Sequence, residues 1–325
     1  MSNAIEVKNL NRVYYSYQKS VGLMSSIQGL WNRKHIEKAA LSDINLTIPA
    51  GQVIGLVGSN GAGKTTLIKT LSGLIPATSG DVKVLGYNPF ERKNEFLRDI
   101  SVLLGQKNQL WWDIAPVDSY QLLMNIYDLD VNKTQKKVAE LADILNCTHV
   151  LETQLRRLSL GERMKMELIG SLLHDPKILF LDEPTIGLDI VAQTSIRNFL
   201  SEYVKEKKPT IILTSHYMDD ISKLADRLVI ISKGKIFYDG SIDKFTQKSV
   251  QKKRLKIIFE TSVKENVQIS ADISLIAGAI ALDLEVEPTR IADTITRISQ
   301  KESIQDIYTE EIDFEETIRE FLKRE

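Results

Sequence analysis

Apolar residues fall in short unbroken runs along the first two thirds of the chain. Val53-Ile54-Gly55-Leu56-Val57, Ile178-Leu179-Phe180-Leu181, Thr210-Ile211-Ile212-Leu213-Thr214 and Val229-Ile230-Ile231 contain no charged residue. A strand covered on both faces needs such a run, so each predicts a buried strand of a largely parallel sheet. Val229–Ile231 is expected to close that sheet. Ile5–Tyr14 and Ala40–Ile48 predict two earlier strands, the second ended by Pro49-Ala50-Gly51. Thr78-Ser79-Gly80-Asp81 predicts a turn before a short strand at Val82–Val84. Leu67–Leu71 reads as the first turns of a helix, and Val117–Cys147 as polar-rich helix within a helical subdomain over about 107–175. Strands alternating with helices predict an α/β fold.

The texture changes past Phe245. Lys248–Lys256 carries a basic cluster that reads as a linker. Leu255–Phe259, Leu282–Val286 and Ile304–Tyr308 predict strands; Pro288–Ile298 and Phe314–Lys323 predict helices, with Pro288 near a first turn. The expected organisation is therefore an α/β domain over 1–245 and a small α+β appendage over 246–325.

A length of 325 residues suits two domains, and 43% hydrophobic with 26% charged residues is ordinary for a globular protein. The net charge of -1 gives no electrostatic reason to expect nucleic acid. The single cysteine, Cys147, excludes an internal disulfide and fits a reducing compartment. No secretory signal is evident. The nearest apolar run, Leu275–Leu282, is far shorter than the roughly 18 residues of a membrane span. Any membrane role must then come through a partner. Between the first two strands, Val21, Leu23, Met24, Ile27, Leu30 and Trp31 recur at helical spacing with Lys19, Arg33, Lys34 and Lys38 around them. Such a stripe lies on a lipid surface or packs on protein, and packing is the commoner use.

The chemistry concentrates at Gly58-Ser59-Asn60-Gly61-Ala62-Gly63-Lys64-Thr65-Thr66, a full match to the phosphate-binding pattern G-x-x-x-x-G-K-[ST]. A strand precedes it and a helix follows, the context that aims backbone N–H groups and a positive helix end at a polyphosphate. Lys64 is placed to reach the β- and γ-phosphates and the Thr65 hydroxyl to bind magnesium. The apolar run from Ile178 ends in Asp182-Glu183. Asp182 is placed to hold magnesium, and Glu183 to polarise the water that attacks the γ-phosphate.

Four further elements accompany this pair. Leu158-Ser159-Leu160-Gly161-Glu162-Arg163 precedes a helix that Ser159 is able to cap. The segment resembles the signature motif of ATP-binding cassette (ABC) ATPases, commonly L-S-G-G-Q. Pro184-Thr185-Ile186-Gly187-Leu188-Asp189 resembles that family's D-loop, Thr214-Ser215-His216 its switch histidine, and Gln106 in Leu103-Leu104-Gly105-Gln106 its Q-loop glutamine. Tyr14 falls where the family stacks an aromatic ring on adenine, with Tyr15 and Tyr17 as rivals; Gln109 is the rival of Gln106. The resemblance covers Ile5–Phe245 and implies a P-loop NTPase core of ABC ATPase type. It implies ATP and Mg2+ as cofactors, and nucleotide contacts from Tyr14, the loop 58–66, Gln106, Ser159, Gly161 and Asp189. Magnesium would be held by Thr65, Gln106 and Asp182, and catalysis carried by Lys64, Glu183 and His216. Leu160 and Glu162 depart from the common signature. Glu162 brings a negative charge toward phosphates and is expected to turn outward to Arg163 or Lys165.

The resemblance further implies that a second chain, expected to be identical, supplies Ser159 and Gly161 across the nucleotide. ATP would join the two and hydrolysis release them. Leu104–Asp113, the Thr185–Asp189 form and the 19–38 insert look closest to subunits serving exporters with separate type-2 permeases. That implies a peripheral location at the cytoplasmic face of the cell membrane. Trp111 and Trp112 then serve core packing or permease docking. The rival classes are a soluble ABC ATPase acting on nucleic acid or ribosomes, and a nucleotide-gated module that does not hydrolyse. One cassette only, and no long coiled coil in the 95-residue step from Lys64 to Ser159, count against the former.

Overall fold

The structure is a computed structural model, and it describes residues 2–17, 35–105, 107–249, 253–270, 273–311 and 318. The chain divides into two compact units, Met1–Ile242 and Asp243–Glu325.

The first unit opens with two long antiparallel strands, β1 (Asn3–Tyr17) and β2 (His35–Pro49). The helix predicted between them, over 21–31, lies outside the described residues. β3 (Val53–Val57) leads through the glycine loop into α1 (Lys64–Leu71), and β4 (Ser79–Val84) then pairs with β1. The turn predicted at Thr78–Asp81 is instead already strand from Ser79. Gly80 has φ +95, and a Cβ there would lie 2.4 Å from the Asn9 carbonyl oxygen, so a bulge takes the place of a turn.

Next come α2 (Asn94–Asp99) and β5 (Ile100–Leu104), then three helices: α3 (Pro116–Tyr127), α4 (Val131–Ile144) and α5 (Leu160–Leu172). The three pack on one another, and α5 also packs on β5. The unit finishes with β6 (Ile178–Asp182), α6 (Ile190–Lys207), β7 (Thr210–Thr214), α7 (Met218–Leu224), β8 (Arg227–Ser232) and β9 (Lys235–Ser241).

The main sheet has the order β5-β6-β7-β3-β8-β9 and is parallel except for the β8–β9 pair. Val229–Ile231 does not close it, because the antiparallel strand β9 forms that edge. β9 alternates exposed and half-buried positions, as an edge strand with one wet face does. β3, β6 and β7 are buried at every position. The β2-β1-β4 sheet and the main sheet share one core, into which α1 inserts Leu67, Ile68 and Leu71 between Ile5 and Leu10 of β1 and Leu56 and Phe180 of β3 and β6. Burial of α1 on both sides fixes the axis of the helix that leaves the glycine loop.

The second unit contains the antiparallel sheet β13-β10-β14, formed by β10 (Lys253–Phe259), β13 (Ala281–Val286) and β14 (Ile304–Glu311). It also holds a hairpin of β11 (Val267–Ser270) and β12 (Ile273–Leu275) and the helix α8 (Ile291–Ser299). Leu255, Ile257, Phe259, Val286 and Ile298 make its own small core. Of the helix predicted at 314–323, only residue 318 is described.

Candidate functional site

The glycine loop turns tightly between β3 and α1. Gly63 has φ +116, and a Cβ would sit 2.7 Å from the Ala40 carbonyl oxygen, so only glycine fits. Gly58 is equally constrained by the Ile231 carbonyl, 2.2 Å from where a Cβ would stand. No side chain caps α1. Its first backbone N–H groups therefore keep their donor capacity for an anion.

Lys64 is buried, and its Nζ donates to the carbonyl oxygens of Gly58 at 2.7 Å and Ser59 at 3.2 Å. Burial lowers its pKa, while the nearby Glu183 and Asp182 carboxylates work against that fall. The lysine is thus a positive charge fixed at the loop mouth rather than a mobile surface ammonium.

Across from the loop, β6 delivers its two acids. Asp182 Oδ1 accepts from the Thr214 hydroxyl at 2.7 Å. Glu183 adopts φ 58, and its amide donates to Thr214 at both the carbonyl oxygen, 3.1 Å, and Oγ1, 3.0 Å. His216 Nε2 lies 3.0 Å from Glu183 Oε1. Beneath them Asp220, 1% exposed, accepts from Ser215 Oγ at 2.7 Å, from Arg197 Nε at 2.9 Å and from the Thr185 hydroxyl. Arg197 and Asp220 therefore fasten the residues that flank Glu183 and His216.

These groups face one cleft of about 570 Å3. Tyr14, Asn60, Gly61, Gly63, Lys64, Thr65, Thr66, Glu183 and His216 line it together with Lys38, Ala40 and Ile186. A hollow that shares Thr65 and Glu183 with it contains Asp182 and Gly105. Among the described residues Tyr14 is the tyrosine that lines the cleft; its ring lies under the Arg12 guanidinium at 4.5 Å, and Lys38 is its cross-strand partner.

The comparisons with known proteins accord with this geometry. The family model described as ABC transporter matches residues 41–186. The chain is 29% identical over 236 residues to the ABC transporter ATP-binding protein NatA of Bacillus subtilis (strain 168), covering 73% of this chain and 95% of that protein. It is 31% identical over 243 residues to the bacitracin transport ATP-binding protein BcrA of Bacillus licheniformis, covering 75% of this chain and 71% of that one. The chain belongs to the ABC transporter ATP-binding family. It is an ABC ATPase, the ATP-binding subunit of a transporter. In fold it matches a dimeric ATP-binding cassette, MJ0796, solved in a post-hydrolysis state with ADP and Pi: TM-score 0.61, 19% identity, 73% of this chain and 98% of that one. Among the described residues no helix is long and apolar enough to cross a membrane.

Gly58, Ser59 and Ala62 of the glycine loop do not line the cleft, and beyond the loop three more predicted nucleotide contacts of this ABC subunit stand outside its lining. Ser159 caps α5, Gly161 packs toward Ala192, and Asp189 caps α6 by accepting from the Ala192 amide at 2.8 Å. Gln106 lies outside the described residues. Its rival Gln109 is committed elsewhere: its amide nitrogen donates to the Val102 carbonyl, and its backbone N–H to Glu167.

Glu162 does not turn to Arg163 or Lys165. Its Oε2 accepts from Ser159 N at 2.9 Å and Ser159 Oγ at 2.7 Å, and its Oε1 meets His149 Nε2 at 3.4 Å. A reciprocal cap satisfies two helix-end groups at once, which a surface ion pair does not. Arg163 instead lies over the Trp112 ring at 5.2 Å, and Lys165 donates to the Leu145 carbonyl at 2.7 Å. Cys147 is buried and its thiol is pushed up to about 11, chiefly by desolvation, so it is inert.

Asp220 and Glu167 were not evident as support residues in the sequence. No local pattern marks them: apart from Ser215, five positions from Asp220, their partners lie 23 to 35 and 57 to 58 positions away.

Proposed function

We propose that this ABC subunit powers an exporter through a separate type-2 permease, bound at the cytoplasmic face of the membrane. In this reading two copies pair head-to-tail around two ATP molecules. The observation that carries the motor part is the convergence of Lys64, Thr65, Glu183 and His216 on one cleft. Lys64 and the α1 amides bind and orient the triphosphate. Glu183, held 3.0 Å from His216, takes the proton of the attacking water. Ser159 and Gly161, which do not line the cleft of their own chain, complete the site of the paired chain.

Mg2+ suits this donor set. It prefers one or two protein oxygens plus phosphate oxygens, and Thr65 and Asp182 face one small hollow. No group of three or more His, Cys, Asp or Glu able to cage a metal exists among the described residues. The ion would neutralise phosphate charge as it develops.

Export is supported by the resemblance of Leu104–Asp113 and Thr185–Asp189 to exporter subunits, and BcrA is named for bacitracin transport. Glu183→Gln should slow steady-state ATP turnover at least ~10²-fold while nucleotide still binds. Near-normal turnover would remove Glu183 from its role. Co-purification of the subunit with a multi-span permease tests the partner.

A further inference from the structure

The signature serine of this chain is already engaged. Ser159 Oγ donates to Glu162 Oε2 at 2.7 Å while accepting from the Glu162 amide at 3.3 Å, and Ser159 N donates to the same carboxylate oxygen at 2.9 Å. Every donor of Ser159 thus points at one carboxylate. The basic neighbours do not neutralise that charge, because Arg163 lies over Trp112 and Lys165 serves the Leu145 carbonyl. Among the described residues only the imidazole of His149 approaches, on the far oxygen.

We infer that Glu162 is a positioning residue that latches Ser159 and sets how readily this chain closes on ATP. The inference rests on the head-to-tail pairing proposed above. For Ser159 Oγ to donate to a terminal phosphate, its hydrogen must leave Glu162, and a charge-assisted bond between hydroxyl and carboxylate is about twice as strong as a neutral one. The carboxylate also stands within one hydrogen bond of a hydroxyl that must face a polyanion, so closure brings like charges together. The Ser159 hydroxyl above all, and then its backbone N–H, hold the Glu162 carboxyl below its ordinary value, which keeps it charged.

Glu162→Gln separates the latch from the helix cap. A glutamine still accepts from Ser159 N and preserves the cap, but it removes the charge and weakens the grip on Oγ. The full chain is compared with the Glu162→Gln, Ser159→Ala and double variants. The readouts are KM and kcat for ATP hydrolysis, and ATP-driven dimerisation followed by sedimentation in a Glu183→Gln background. Glu162→Gln is expected to lower the ATP concentration for half-maximal dimerisation, and KM, about tenfold, with an unchanged thermal midpoint. Ser159→Ala should weaken both and cancel the gain in the double variant. Wild-type behaviour of Glu162→Gln beside a defective Ser159→Ala would overturn the latch and leave the pairing standing. A gain that survives in the double variant would also overturn the route through serine. A Ser159→Ala chain that closes on ATP normally would overturn the pairing itself, and the latch with it.

Discussion

Glu167 makes the stability of this protein fall as pH rises through neutrality. The residue is 3% exposed on α5. Both its carboxylate oxygens accept from the backbone N–H groups of Gln109 at 3.0 Å and Leu110 at 3.2 Å. Burial penalises the charged form and outweighs those bonds and the Arg163 charge, so the carboxyl titrates at about 7 rather than 4.5. At 1.36 kcal/mol per pKa unit that difference is worth about 3 kcal/mol. The folded state holds this proton more tightly than the unfolded chain. The contribution is therefore full below pH 4.5 and is lost as pH rises through 7. Most of the loss, about 2–3 kcal/mol, falls between pH 5 and pH 8. Glu167→Gln cannot titrate, so the stability of the native chain minus that of the variant should decline by that amount over the same range. All three tryptophans lie in the first unit, so urea unfolding followed by tryptophan fluorescence at pH 5, 6, 7 and 8 reads the right transition. A difference that stays flat, or that grows toward alkaline pH, refutes the reasoning.

Lys64→Ala should weaken nucleotide affinity and turnover together, since it removes the fixed charge at the loop mouth; an unchanged affinity for ATP by titration calorimetry would contradict that placement. Gly105→Ala should cut turnover at least ~10-fold and cost about 1–3 kcal/mol of stability, because the new Cβ would stand 2.2 Å from the Glu183 carbonyl oxygen; a normal kcat counts against it. Asp220→Ala should cost about 3–5 kcal/mol, because Arg197, Ser215 and Thr185 lose their buried acceptor; chemical denaturation measures this, and a loss under 1 kcal/mol would show that the network relaxes.

The central strands β3, β6, β7 and β8 were legible because a strand covered on both faces carries an unbroken apolar run, with the charged Asp182 and Arg227 only at strand ends, whereas β5 was not read. Nor was β9. Its residues alternate, Ile236 and Tyr238 half-buried with Lys235, Phe237 and Asp239 exposed, and a seven-residue alternation next to Lys233-Gly234 resembles a surface loop. The phosphate loop was legible because its spacing is dictated by backbone geometry. Ser159 and Glu162 form a capping box whose S-x-x-E pattern is visible in the sequence. The negative charge near a phosphate site points to the neighbouring cations Arg163 and Lys165 instead of the serine three positions back. Asp189 shows the reverse confusion, since a residue read as a ligand is also the N-cap of α6. Asp220 and Glu167 were invisible for a deeper reason: only the crossing of distant segments turns an ordinary acid into a buried acceptor.

The position of both acids follows from strand register. Leu104, Asp182 and Thr214 are cross-strand neighbours on β5, β6 and β7. Thr214 therefore meets Asp182 side by side, and its hydroxyl bonds the carboxylate. One residue further, the chain must leave the sheet, and Glu183 does so with φ 58, a conformation that non-glycine residues seldom adopt. Such a turn persists only where neighbours hold it. Here Thr214 grips the Glu183 amide by two oxygens, while Gly105 leaves no side chain to displace the Glu183 carbonyl. The turn swings the Glu183 side chain to within 3.0 Å of His216; an extended continuation of β6 would not make this departure from the row. The same threonine thus fixes the acid suited to a metal and the acid suited to a proton. Its placement depends on the apolar packing of β5, β6 and β7, so the geometry of the candidate site is a consequence of the sheet's core.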